Sequence, residues 1–315
     1  MNIVILDANT LTLDNDIDFS VFNQYGNVTI YQSSTDEEVG ERIKDAEVVL
    51  CNKTVLNADK LSKAPNLKYI GLFATGYNNI DIEAARARGI AVCNIPAYST
   101  ERVAHTAIMM ILNLSSSMQI QQAMLARGDR SNFTKCMQVS HVEVNGKVLG
   151  VVGAGTIGRE VIKVAQALGM KVLAYTRTPR ADEDNLKYVS LEELLKQSDY
   201  ISLHCPLTPQ TRHMINKETI AMMKPTAYII NTGRGALIDE PALIEALKEG
   251  RIAGAGLDVQ ETEPPVQNNP LYDMPNVILT PHMGWKGLET RQRLVSILAA
   301  NIQAFDEGRP QNVVS

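Results

Sequence analysis

Cysteine, aromatic residues and long apolar runs are all scarce in this chain. Its four cysteines, Cys51, Cys93, Cys136 and Cys205, lie far apart and form no C-x-x-C pair. That excludes a thiolate zinc cluster and a disulfide framework, so no metal is expected and the thiols read as those of a reduced, cytoplasmic protein. With one tryptophan and 5% aromatic residues, the chain has few rings on which bases could stack. Lysine and arginine (30) fall short of aspartate and glutamate (35), and the two signs are mixed along the sequence. There is no basic stripe for nucleic acid. The apolar stretch Ala104 to Leu114 is broken by His105, Thr106 and Asn113, and nothing approaches the roughly 20 residues that span a bilayer. Met1 to Asp7 has no positive leader and meets an acid after a short apolar run, so it reads as a first strand.

A length of 315 residues and 45% hydrophobic content instead describe a globular chain large enough for two domains. Short apolar runs at Asn2–Leu6, Val28–Tyr31, Val48–Cys51, Tyr69–Leu72 and Ala91–Cys93 alternate with helical patterns and predict buried strands of a parallel sheet. Ser99-Thr100-Glu101 then opens a predicted long helix running to Arg127, with Gly128 as its stop. A second series follows at Lys147–Val152, Lys171–Tyr175, Tyr200–Leu203, Ala227–Asn231, Gly254–Leu257 and Val277–Thr280, and a last amphipathic helix runs from near Trp285 to Glu307. The second series is continuous. The first is split, with the C-terminal tail as the candidate returning piece, a return that pattern alone does not establish.

The run from Val148 to Gly158 carries an apolar strand directly into Gly153-Ala154-Gly155-Thr156-Ile157-Gly158, with a helical pattern behind it. In a G-x-G-x-x-G loop the first glycine makes the tight turn, the second admits a pyrophosphate to backbone N–H groups, and the third lets helix and strand pack closely. The next strand would end, in an NAD enzyme, on an acid for the ribose hydroxyls. Here the position falls on Thr176, followed by Arg177, Thr178 and Arg180, and the first acid is Asp182. A hydroxyl and guanidinium groups suit a 2′-phosphate, so NADP(H) is favoured over NAD(H).

Three later segments place polar groups just past predicted strands: Asn231-Thr232-Gly233-Arg234-Gly235, Asp258 to Pro264, and Thr280-Pro281-His282-Met283-Gly284-Trp285. With the glycine loop, these four ordered motifs make the chain resemble the D-isomer-specific 2-hydroxyacid dehydrogenase family over nearly its whole length. Within the family, Ala74 to Asn78, Asn94 to Thr100 and His282 to Trp285 are similar to glycerate dehydrogenases, also called hydroxypyruvate or glyoxylate reductases.

The resemblance implies an α/β fold of two Rossmann-like domains with parallel sheets. Residues 100–284 would bind the dinucleotide, and 1–99 with 285–315 would form a discontinuous substrate domain. The implied reaction is reversible reduction of a small 2-oxo acid to the D-2-hydroxy acid by NAD(P)H. Hydride addition builds negative charge on the carbonyl oxygen. His282 can supply the proton, and Arg234 can bind the substrate carboxylate and polarise the carbonyl. The family pattern makes Glu263 the partner that orients His282 and assigns Thr75 and Gly76 to the substrate carboxylate. It adds Cys205, Pro206, Thr232, Asp258 and Gly284 to Gly153, Gly155, Thr156, Ile157, Gly158, Thr176, Arg177 and Thr178 as cofactor contacts.

A homodimer is expected, with the apolar face Ile108, Met109, Ile111 and Leu112 as a candidate seam. One basic residue, Lys53, stands where phosphoglycerate dehydrogenases carry an arginine pair, which argues against a phosphorylated substrate. Glu263, where formate dehydrogenases would carry glutamine, argues against that activity. A non-catalytic, cofactor-sensing protein resembling the corepressor relatives is the alternative of another class; the absence of a basic surface speaks against it.

Overall fold

Runs of β-branched and aliphatic residues become parallel strands here, and polar loops collect at the strand ends. A computed structural model describes residues 1–134, 139–178 and 180–315. The chain divides into two units, Met1–Ser99 with Trp285–Ser315, and Thr100–Gly284.

The first unit holds β1 (Asn2–Ile5), β2 (Asn27–Ile30), β3 (Val48–Cys51), β4 (Tyr69–Leu72) and β5 (Ala91–Cys93). All pair in parallel, in the order β2-β1-β3-β4-β5. β3 and β4 are buried at every residue, as strands covered on both faces must be. β2 corrects the expectation of a buried strand: it is the outermost member and mostly exposed, because an edge strand has a neighbour on one side only. The C-terminal helix Leu288–Asp306 packs on β4. Gly71 makes room for it, since a Cβ there would stand 2.7 Å from Leu298 Cδ1. The last residues return to β5, where the Val314 N–H donates to the Val92 carbonyl at 2.8 Å.

The second unit holds β6 (Val148–Val152), β7 (Lys171–Tyr175), β8 (Leu186–Tyr188), β9 (Tyr200–Leu203), β10 (Tyr228–Asn231), β11 (Gly254–Leu257) and β12 (Val277–Leu279). The parallel order is β12-β11-β10-β9-β6-β7-β8. The chain runs outward from β6 to β8, then crosses back to start the other half at β9. The crevice beyond the C-terminal ends of β6 and β9 is therefore the switch point at which open α/β sheets bind ligands. β8 is a short edge strand with no counterpart in the sequence prediction.

The predicted helix from Thr100 to Arg127 is two helices, Thr100–Ser115 and Met118–Ala126. Serine side chains that bond the backbone compete with helix continuation. The Ser115 hydroxyl donates to the Leu112 carbonyl and the Ser117 hydroxyl to the Ser140 carbonyl, with Ser117 left-handed at φ +49°. The proposed seam also needs correction. Ile108 and Ile111 are buried in the core of their own unit beside Leu149, Val151 and Val161, whereas Leu112 is exposed. Cys51, Cys93 and Cys205 are free thiols; Cys136 lies outside the described residues. Among those residues no helix is long and apolar enough to cross a membrane.

Candidate active site

Six neighbouring strands of the second unit, β6, β7, β9, β10, β11 and β12, deliver the sequence-predicted residues other than Thr75 and Gly76 to one edge of one sheet. Parallel strands all point their C-terminal ends the same way, so loops far apart in sequence share that edge.

The glycines after β6 divide into two kinds. At Gly153, φ is +101° and a Cβ would stand 2.7 Å from the Cys205 nitrogen, so the turn and the end of β9 both require its absence. A Cβ on Gly158 would overlap the Gly153 carbonyl oxygen. Gly155 is different: beyond its chain neighbours, no atom of the described residues lies within 4 Å of where its Cβ would be. Packing among those residues does not explain this glycine, and its open face leaves space for a ligand to approach the backbone. The helix Thr156–Ala167 begins here, and no side chain caps its first turn. Its first N–H groups point out of the helix as a partial positive charge.

Beyond β7, the Thr176 hydroxyl donates to the Thr178 carbonyl at 2.7 Å. Arg177 and Arg180 are exposed. Asp182, the first acid after the strand, accepts the Tyr188 N–H at 2.8 Å. After β9, burial pushes the Cys205 thiol up to about 11, so it is protonated and a weak nucleophile at neutral pH. The His204 ring bonds the buried Ser202 hydroxyl at 2.8 Å and is pushed down to about 4 by burial, although the residue keeps some surface. At neutral pH it is an uncharged core histidine.

After β10, the Asn231 side chain shapes the loop. It accepts the Gly233 N–H at 3.0 Å and donates to the Arg234 carbonyl at 2.9 Å. Arg234 is exposed, donates to the Gly233 carbonyl, and forms no ion pair among the described residues. The Thr232 hydroxyl is buried with no hydrogen-bond partner among those residues. An unsatisfied buried hydroxyl costs about 1–3 kcal/mol, and the open cradle at Gly155 and this orphaned hydroxyl together fit a dinucleotide bound across the switch point. No cluster of His, Cys, Asp or Glu among the described residues could hold a metal.

The ends of β11 and β12 bring a histidine and a carboxylate together. Asp258 is 2% exposed, and its carboxylate accepts the Thr280 hydroxyl at 2.6 Å and the Met283 and Gly284 N–H groups at 2.8 and 2.7 Å. Its carbonyl takes the His282 N–H at 2.9 Å. This holds His282 at φ +49°, a left-handed conformation that ordinary residues adopt only under constraint. Gly284 is glycine for the same reason: a Cβ would stand 2.7 Å from an Asp258 oxygen. The resemblance assigns Asp258 and Gly284 to the cofactor, with a helix-cap or turn residue as the other reading of Asp258, and the structure shows Asp258 holding the turn. On that turn, Nδ1 of His282 meets Oε2 of Glu263 at 2.7 Å, both side chains partly exposed.

In the first unit, the Thr75 hydroxyl donates to the Ile95 carbonyl and the Thr75 carbonyl accepts Asn94 Nδ2, each at 2.7 Å. Among the described residues neither the Thr75 nor the Gly76 N–H donates a hydrogen bond.

Comparison with known proteins agrees with this arrangement. Residues 108–284 match the family model "D-isomer specific 2-hydroxyacid dehydrogenase, NAD binding domain". The chain is 43% identical to a hydroxypyruvate reductase of Blautia hydrogenotrophica, with both chains covered completely. It is 42% identical to a glycerate dehydrogenase of Methylorubrum extorquens over 90% of each. Among solved structures it superposes on D-2-hydroxyisocaproate dehydrogenase with a TM-score of 0.87 and 30% identity, covering 100% of this chain and 99% of that one. A sheet edge that sets Arg234, Glu263 and His282 beyond successive strands, beside a glycine loop built for a dinucleotide, thus comes with sequence similarity along the full chain: the protein belongs to the D-isomer specific 2-hydroxyacid dehydrogenases, a family of oxidoreductases.

Proposed function

We propose that the protein reversibly reduces a small 2-oxo acid of the hydroxypyruvate or glyoxylate type to the D-2-hydroxy acid, using NAD(P)H. The observation that carries the reading is the 2.7 Å contact between Glu263 and His282 Nδ1. A carboxylate on Nδ1 fixes the ring and stabilises the imidazolium, so that Nε2 can pass a proton to the substrate oxygen. A nicotinamide cofactor, when bound, would supply the hydride for reduction at the substrate carbonyl. Arg234 binds the substrate carboxylate and polarises the carbonyl; it stays charged throughout the cycle. In the first unit the proposal assigns the Thr75 and Gly76 N–H groups to the same carboxylate.

The dinucleotide would be held by Gly153, Gly155, Thr156, Ile157 and Gly158 at the pyrophosphate, and by Cys205, Pro206 and Thr232 along β9 and β10. Asp258 and Gly284 would lie at the nicotinamide end. NADP(H) is the proposed preference, supported by Thr176, Arg177 and Thr178 where an acid would otherwise stand. A homodimer is the proposed assembly, supported by exposed Leu112, Met118 and Leu125 on two successive helices.

The direct test is consumption of NADPH and NADH by the purified protein with hydroxypyruvate, glyoxylate and pyruvate. Turnover of hydroxypyruvate or glyoxylate supports the proposal. Tight cofactor binding with no turnover of any 2-oxo acid would favour a cofactor-sensing binding protein instead.

A further inference from the structure

A second histidine–carboxylate pair lies on the loop that carries Glu263, and the reaction as proposed has no task for it. His213 Nε2 meets Glu261 Oε1 at 2.6 Å, and the Arg212 guanidinium stands 3.6 Å from the same oxygen. The other Glu261 oxygen accepts the Glu240 N–H at 3.3 Å, in the first turn of the helix Glu240–Lys248. Glu240 reciprocates, taking the Glu261 N–H on Oε2 at 3.2 Å. Asn269 Nδ2 then bridges Glu240 Oε1 and Gln260 Oε1, at 2.8 and 3.1 Å. Finally the Gln260 N–H donates to Glu263 Oε1 at 3.3 Å. One continuous set of bonds runs from His213 to the carboxylate that touches His282.

The loop is also seated on backbone that cannot retreat. A Cβ on Gly235 would overlap the Gln260 carbonyl oxygen, and Gly235 directly follows Arg234. His213 is itself pinned, with φ +51° and its N–H donating to the Ala236 carbonyl at 2.8 Å. Glu261 is a half-buried charge, and such a charge keeps its place only while partners hold it. Its stabilising surroundings are the His213 ring, the Arg212 guanidinium and the partial positive charge of a helix N-terminus.

We propose that His213 is a positioning residue for the proton-transfer pair: through Glu261 and Gln260 it holds Glu263 in register with Nδ1 of His282. This rests on the catalytic reading of Glu263 and His282 given above. Without His213, Glu261 loses its shortest contact, the loop relaxes toward Arg212, and Glu263 leaves its line with the ring.

A double-mutant cycle tests it. His213→Ala should lower kcat by about tenfold, the loss of one charge-assisted hydrogen bond, with KM for the nicotinamide cofactor unchanged. His213→Gln, whose amide nitrogen can stand where Nε2 stood, should recover most of that loss. In a Glu263→Gln background, His213→Ala should cost no more than about twofold, because the group it positions is already gone. Glu261→Gln keeps the side chain's size and should show the same non-additivity, so the cycle can be read even where His213→Ala does not fold. Fully additive losses would overturn the proposal, and so would a His213→Ala enzyme with parental kcat beside an impaired Glu263→Gln. A Glu263→Gln enzyme with parental kcat would instead overturn the catalytic reading itself.

Discussion

Glu263 Oε2 lies 2.7 Å from His282 Nδ1, which commits that nitrogen and makes Nε2 the one to which the proposed function gives proton transfer. His282→Ala should therefore lower the rate of 2-oxo acid reduction by about 10²–10⁴-fold. Cofactor affinity, read by fluorescence titration of NADPH or NADH, should stay within about twofold of the parent. Glu263→Gln should be milder, because an amide oxygen can still accept a hydrogen bond from Nδ1. A His282→Ala enzyme with parental activity would remove this residue from the mechanism.

Arg234 lies on a loop braced by Asn231 and forms no ion pair among the described residues, so its charge is available to a bound anion. Arg234→Ala should raise KM for the 2-oxo acid and lower kcat, because the proposed function has the same group bind the ground state and polarise the carbonyl. Together these should cost kcat/KM about 10²-fold or more. Arg234→Lys should rescue little, since an ammonium cannot reproduce a bidentate fork. Steady-state kinetics showing a change in neither constant would contradict the assignment.

The glycines of the loop after β6 should separate by experiment. Gly158→Ala drives a methyl group into the Gly153 carbonyl and should destabilise the fold by several kcal/mol, visible as a large drop in Tm. Gly155→Ala meets open space and should leave Tm nearly unchanged while weakening cofactor binding about tenfold or more. A Gly155→Ala protein with parental cofactor affinity would show that this face is not where the pyrophosphate approaches.

Cofactor choice can be tested at the end of β7. The proposed NADP(H) preference has a 2′-phosphate meet the Thr176 hydroxyl and the Arg177 guanidinium, where a carboxylate would repel it. One well-placed guanidinium sets a tenfold preference, for which only about 1.4 kcal/mol is needed. The parent should show the higher kcat/KM with NADPH, and Thr176→Asp should turn the ratio toward NADH. A parent that prefers NADH would mean that the loop serves a ribose diol without an acid.

His204 should mark the acid limit of stability. Its folded value, about 4, lies below the ordinary 6.5, so the unfolded chain takes up a proton that the folded ring resists. The stability it contributes is complete above about 6.5 and is lost as pH falls toward 4. His204→Gln keeps a partner for Ser202 without titrating, and its Tm should fall less than the parent's over that window. Parallel Tm-against-pH curves would show that the ring is not desolvated in solution.

Much of this was legible before any coordinates. The strands other than the edge strand β8 announce themselves, most of them because strands covered on both faces must be continuously apolar, and the glycine loop is recognisable because its turn geometry admits few other residues. Features decided by distant partners were not legible. The helix break at Ser117 depends on a carbonyl supplied by Ser140. The exposure of β2 depends on its place in the sheet order, which its composition does not record. Asp258 reads as a cofactor contact until Thr280, Met283 and Gly284 fold back onto it. The pairing of His213 with Glu261 joins residues 48 positions apart and carries no local pattern at all.

The return of Trp285–Ser315 to the first unit has a consequence for how the protein is made. Domains usually fold in the order in which they leave the ribosome. Here the first 99 residues emerge first yet lack the helix that covers β4, with Leu298 set against Gly71. Residues 100–284 have all their strands as soon as they emerge and can close around their own core. The part synthesised earliest is thus the last to be finished, and its sheet face stays uncovered until the final helix is released.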